Sequence, residues 1–257
     1  MKILYAGIAG VVLLTARTSA IAQTEFHLQY GSHMNPFSGT DEWTLVFTVQ
    51  NASGWKLGDS FFFLDYIDDS GSDGFNDRDF YSEWYPTLSF GKLSKKEVRV
   101  GPIRDFALVT GFNAGGDAKV MKYLPGVRAS WSVPGFLFLN TDLTAYIDDN
   151  TGVDGGGAPK TGNSFMFDVS WLLPIEAGEQ SFTFTGHAEY IGGRTNEFGD
   201  DVNGSILAQP QLVWDVGKAM AGEASQFMVG VEFQYWRNKL GTDEDEMTAQ
   251  MLVVWRM

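Results

Sequence analysis

The chain contains no cysteine. Disulfides, thiolate nucleophiles and thiolate metal sites are therefore excluded. Cations are scarce: 18 Lys and Arg stand against 32 Asp and Glu, a formal charge of −14. Nucleic acid is a poor partner for such a chain, because neutralising phosphates takes clustered Lys and Arg. Histidine occurs only at His27, His33 and His187. Long apolar runs are missing too, and a membrane-spanning helix needs roughly 20 apolar residues.

The N-terminus carries a different signal. Met1-Lys2 is a short positive segment, Ile3 to Thr15 are apolar or small, and Ala20-Ile21-Ala22 has the small-x-small form that signal peptidase reads. The expectation is a secretory leader over 1–22 and one mature domain over 23–257. The apolar run is too short for an anchor. Losing Lys2 and Arg17 takes the charge from −14 to −16.

Beyond the leader the apolar residues recur with period two. In Ser181–Tyr190, Phe182, Phe184, Gly186, Ala188 and Tyr190 share one face; Ser181, Thr183, Thr185, His187 and Glu189 share the other. The segments around Trp43–Val49, Leu137–Ile147, Phe165–Trp171 and Val229–Tyr235 alternate in the same way. That is a strand pattern. The segments run about ten residues, the length of a tilted strand that crosses the hydrocarbon layer. Strands are predicted at 24–32, 41–51, 56–67, 79–92, 97–112, 120–133, 135–148, 163–174, 179–192, 204–216, 225–238 and 246–257. Short links such as Val133-Pro134-Gly135 and 175–178 read as periplasmic turns. Acidic or Gly-rich links at 68–79, 113–119, 148–162, 192–203 and 238–245 read as surface loops.

A soluble sandwich would show the same alternation with its apolar face turned inward. Strand length, the leader, 14% aromatic residues and 30 glycines favour a membrane barrel with aromatic girdles. The predicted fold is all-β, a transmembrane antiparallel up-and-down barrel of about twelve strands in the bacterial outer membrane. With the apolar face toward lipid, parity turns Phe61, Phe63, Asp65, Tyr81, Glu83, Tyr85, Arg128, His187, Glu189, Glu232, Gln234, Trp236 and Arg256 into the lumen.

Several stretches resemble the Tsx-like family of nucleoside-specific channel-forming outer-membrane proteins. The longest is Phe80-Tyr81-Ser82-Glu83-Trp84-Tyr85-Pro86-Thr87-Leu88-Ser89-Phe90-Gly91-Lys92-Leu93, followed by Val98-Arg99-Val100-Gly101-Pro102. Trp171-Leu172-Leu173-Pro174-Ile175 and Tyr235-Trp236 resemble later strands of that family. The resemblance implies a twelve-stranded barrel with a narrow, flattened pore and passive nucleoside passage. The chain departs from the family in its shorter loops and in ending on Met257 rather than an aromatic, so Trp255 is the residue left for the barrel assembly machinery to read.

On this reading Phe61, Phe63, Asp65, Tyr81, Glu83, Tyr85, Arg128, His187, Glu189, Glu232 and Trp236 are the candidate solute-binding residues. Aromatic faces would take a base and carboxylates would take sugar hydroxyls. The other expected partners are outer-membrane lipid and lipopolysaccharide. No cofactor, metal or enzymatic activity is expected. A phospholipase would need Ser-His-Asn/Asp on the lipid side, and His187 lies on the other face. Asp68-Asp69-Ser70-Gly71-Ser72-Asp73-Gly74 misses the EF-hand spacing and reads as an acidic surface loop. The alternative function is a non-transporting barrel whose loops mediate adhesion or phage attachment.

Overall fold

The computed structural model describes residues 22–222 and 225–257. The expected leader lies outside the described residues up to position 21. The first strands form hairpins: β1 (Ala22–Asn35), β2 (Thr40–Gly54), β3 (Asp59–Asp69) and β4 (Asp79–Ser89). A short helix α1 (Phe90–Ser94) leads to β5 (Ile103–Gly115), β6 (Met121–Trp131), β7 (Phe138–Asp148), β8 (Ser164–Ala177) and β9 (Gln180–Ile191). A small hairpin, β10 (Arg194–Thr195) with β11 (Asp201–Val202), projects from one rim. Then come β12 (Ser205–Ala208), β13 (Gln211–Asp215), helix α2 (Val216–Ala221), β14 (Phe227–Arg237) and β15 (Glu246–Arg256).

Each barrel strand pairs antiparallel with its neighbours, and β1 pairs β15, so the sheet closes. β12 and β13 are two halves of one staved position. The register runs straight through them, Leu207↔Glu189 on one side and Gln211↔Thr185 on the other. Pro210 interrupts the ladder because it has no N–H to donate. Opposite it stands Gly186, with φ +138, where a Cβ would sit 2.3 Å from the Gln209 carbonyl oxygen. Counted this way the barrel has twelve strands, as the period-two pattern predicted.

Two predicted strand ends move inward for local reasons. The strand predicted over 79–92 stops at Ser89, whose hydroxyl caps α1 by accepting from Lys92 N at 3.0 Å. The one predicted over 204–216 stops at Asp215, which caps α2 by accepting from Lys218 N at 2.9 Å. Caps of this kind satisfy otherwise orphaned helix N–H groups.

Polarity decides the environment. Among the described residues, twenty-three buried side chains are polar or charged and eleven are apolar. The large apolar residues are outside: Leu28, Phe47, Trp84, Val127, Leu143, Phe167, Leu212, Val231 and Trp255 are all exposed. An apolar belt around a polar interior is the reverse of a soluble sandwich and suits hydrocarbon. A closed barrel also leaves no unpaired sheet edge in lipid. The chain is an outer-membrane barrel. Its even strand number places both chain ends on one rim, the periplasmic one in such barrels.

The closing seam is shorter than its neighbours. β1 and β15 pair over six positions, from Glu25↔Arg256 to Tyr30↔Met251, whereas β1 and β2 pair over fourteen. Beyond Tyr30, side chains bridge the gap. Glu246 accepts from Met34 N at 3.2 Å, and Lys239 donates to the Met34 carbonyl at 2.6 Å.

Candidate functional site

The lumen has two unlike walls. Along β4 to β8 an apolar cluster fills the interior: Tyr85, Val109, Leu124, Tyr146 and Met166, with Phe61 and Ile191 packed against it. Phe61, Phe63 and Tyr81 continue it as an aromatic row, with successive ring centroids 6.2 and 6.1 Å apart. Across the barrel, β1, β13, β14 and β15 present amides around one carboxylate. Glu232 accepts from Gln29 at 2.8 Å, Gln211 at 2.6 Å, Gln250 at 3.0 Å and Gln209 at 3.4 Å. Asp65, between the walls, accepts from Thr48 at 2.6 Å.

All the candidate residues read from parity face this interior, but their free valences differ. Glu83 is 7% exposed and is clamped by two phenols, Tyr81 at 2.6 Å and Tyr85 at 2.8 Å. Those bonds use one site on each carboxylate oxygen. Arg128 is otherwise engaged. Its Nε and Nη2 grip Asp142 at 2.7 Å each, and Nη1 reaches Asp59 at 3.1 Å. Such a fork is a geometric match for a carboxylate. Trp236 lines the lumen rather than an interfacial girdle, and the Lys239 ammonium lies 5.4 Å from its ring centre. Arg256 is bound to Glu25 at 2.7 Å.

The remaining candidates meet on β8 and β9. Asp168 stands directly opposite Glu189, and Ser170 opposite His187. His187 Nδ1 lies 3.4 Å from Asp168 Oδ2, and its Nε2 lies 2.8 Å from Gln209 Oε1. Parity reasoning placed His187 and Glu189 on one face but did not include Asp168 or Gln209 among the candidates. Their part depends on which strand lies beside β9 on each side.

At the long-loop rim, Asp69, Asp73 and Asp77 converge in the link between β3 and β4. Some of their oxygens take donors locally: Asp69 Oδ1 accepts from Gly71 N at 3.0 Å, and Asp77 from Asp73 N at 3.1 Å. Asp73 accepts from Phe75 N at 3.0 Å and from Asn35 at 2.6 Å. The Asn35 hydrogen bond holds the Asp73 carboxyl below the usual aspartate range. The segment is an acidic link at the rim between β3 and β4.

No protein-family model matches the sequence, and no curated relative matches it. Solved structures do share the fold. The NanC porin aligns with a TM-score of 0.53 at 9% identity, covering 91% of this chain and all of that one. The KdgM porin aligns at 0.44 and 8% identity, covering 90% and 98%. OccK10 (OpdN) of Pseudomonas aeruginosa aligns at 0.35 and 10% identity, covering 93% and 99%. At 9% identity the NanC likeness bears on the barrel fold and on nothing finer.

Proposed function

We propose that the barrel is a passive outer-membrane channel for nucleosides or similarly sized polar aromatic solutes. The observation that carries this is the division of the lumen into an aromatic wall and an amide-carboxylate wall. A nucleoside is divided in the same way, into a flat polarisable base and a hydroxylated sugar. Stacking on Phe61, Phe63 or Tyr81 would contribute about 1–3 kcal/mol. Glu83, Asp65 and the glutamines around Glu232 would receive the hydroxyls. Binding of that strength is weak enough for release, which conduction requires. The resemblance around Glu83 and the porin-like barrel support the same reading. Arg128 drops out of the solute path, since three of its five N–H donors are engaged by Asp142 and Asp59.

The test is ion current through the barrel in planar bilayers. Nucleosides are expected to block at lower concentration than their monophosphates, whose charge meets an acidic lumen. Glu83→Gln keeps the side-chain volume and should weaken nucleoside block by about 0.5–1.5 kcal/mol, roughly twofold to tenfold. If nucleosides leave the current unchanged while unrelated sugars or fatty acids alter it, the solute assignment is wrong. One observation favours a second reading: the cluster of Tyr85, Val109, Leu124, Tyr146 and Met166 occupies lumen volume. A barrel with no measurable conductance would point to the surface loops, in adhesion or phage attachment.

A further inference from the structure

We propose that Asp168, His187 and Glu189 form a binding site for a divalent transition-metal ion on the lumen wall. The inference is independent of which solute crosses the pore.

The strand register supplies the constellation. His187 and Glu189 are two apart on β9, so both point inward, and Asp168 on β8 lies across from Glu189. One donor atom from each falls within 4.8 Å of the other two. The His187 Nδ1 to Asp168 Oδ2 distance of 3.4 Å is long for an N–H···O bond, whose usual length is about 2.9–3.0 Å. It is close to the separation of two ligands held at about 2.1 Å from one tetrahedral ion. Asp168 Oδ2 is buried and has no hydrogen-bond partner. Glu189 makes no side-chain hydrogen bond among the described residues.

The far side of the imidazole is already arranged for ligation. His187 Nε2 meets Gln209 Oε1 at 2.8 Å. The amide is oriented by donating its own Nε2 to Gln234 at 2.9 Å. An amide oxygen only accepts, so Nε2 carries a proton, and in the neutral ring Nδ1 then turns a lone pair toward the two carboxylates. Without a metal ion or a second ring proton that leaves acceptors facing acceptors. Metal-ligating histidines are held in this way, the second ring nitrogen donating to a fixed oxygen. The His187 side chain is 29% exposed, so the site opens to the lumen and keeps a position for water or solute. One imidazole and two carboxylates suit Zn²⁺, Co²⁺ or Ni²⁺ and offset the ion's charge; Mg²⁺ and Ca²⁺ prefer all-oxygen sets. The loop carboxylates at Asp69, Asp73 and Asp77 offer no imidazole, and local donors already take some of their oxygens.

The competing arrangement is a doubly protonated His187 paired with Asp168, binding no metal. Calorimetric titration of the chelator-stripped barrel, refolded in detergent, separates the two. Zn²⁺ should bind in one-to-one ratio, with Mg²⁺ failing to compete. His187→Gln should abolish binding, and Asp168→Asn and Glu189→Gln should each weaken it at least about tenfold. Gln209→Ala, which touches no metal, should weaken it about 10–100-fold through loss of ring orientation. Co²⁺ should give visible d–d absorption that disappears in His187→Gln. Each variant is first checked for heat-modifiable gel migration, so that misfolding is not read as lost binding. Absence of stoichiometric Zn²⁺ binding, or binding that survives His187→Gln, overturns the proposal. Neither measurement involves transport, so failure here leaves the nucleoside reading untouched, and the converse holds.

Discussion

Replacing Arg128 by methionine removes a guanidinium while keeping most of the stem's volume. The wild-type fork makes two 2.7 Å contacts to Asp142, which is 3% exposed, and one of 3.1 Å to Asp59, whose side chain is half exposed. The Asp59 contact, being solvated, is worth at most about 1 kcal/mol. The larger loss comes from Asp142, left charged and unpaired inside the barrel. Breaking one partner of a buried pair costs about 3–5 kcal/mol, whereas removing both is often close to neutral. Arg128→Met should therefore lower stability by about 3–5 kcal/mol, and Arg128→Met with Asp142→Asn should recover most of it. The assay is guanidinium unfolding of the barrel in lipid vesicles, followed by tryptophan fluorescence, for both single variants and the double. Nucleoside block of the folded single variant should be near wild type. If Arg128→Met unfolds like the wild type yet loses block, Arg128 binds solute and the fork is incidental.

The sidedness of the barrel can be tested on β8: Val169→Arg, toward lipid, should cost about 2–4 kcal/mol in bilayers, while inward Ser170→Asn should cost little, and equal or reversed costs would mean the faces are exchanged. The Asp73 carboxyl, held low by Asn35, supports the loop contact above the ordinary aspartate pKa and loses it as pH falls through its depressed folded value. Hydrogen exchange of the segment from 70 to 78 should accelerate only in that acid range, and acceleration near neutrality would contradict the linkage.

Strand number and the inward face were legible because both follow from period two, and one buried face fixes register against a one-residue slip. The ends of β4 and β13 were not legible, because Ser89 and Asp215 suit a strand until their side chains find a helix N–H. The site was legible by face but not by neighbour. Tyr81, Glu83 and Tyr85 share one strand, so their mutual contacts follow from parity. That Arg128 is spent on Asp142, or that Gln209 orients His187, depends on which strands lie side by side and at what offset.

The short seam between the first and last strands has a mechanical consequence. Along most of the wall, adhesion is written into the backbone and does not depend on side-chain identity. Between Gly31 and Asn35 it is delegated to a few clasps, Lys239, Glu246 and the Gln250 chain lying against Gly31. Pulled sideways, the cylinder should therefore split there first, from the long-loop rim downward. The same place would be the last to fasten when the sheet curls shut.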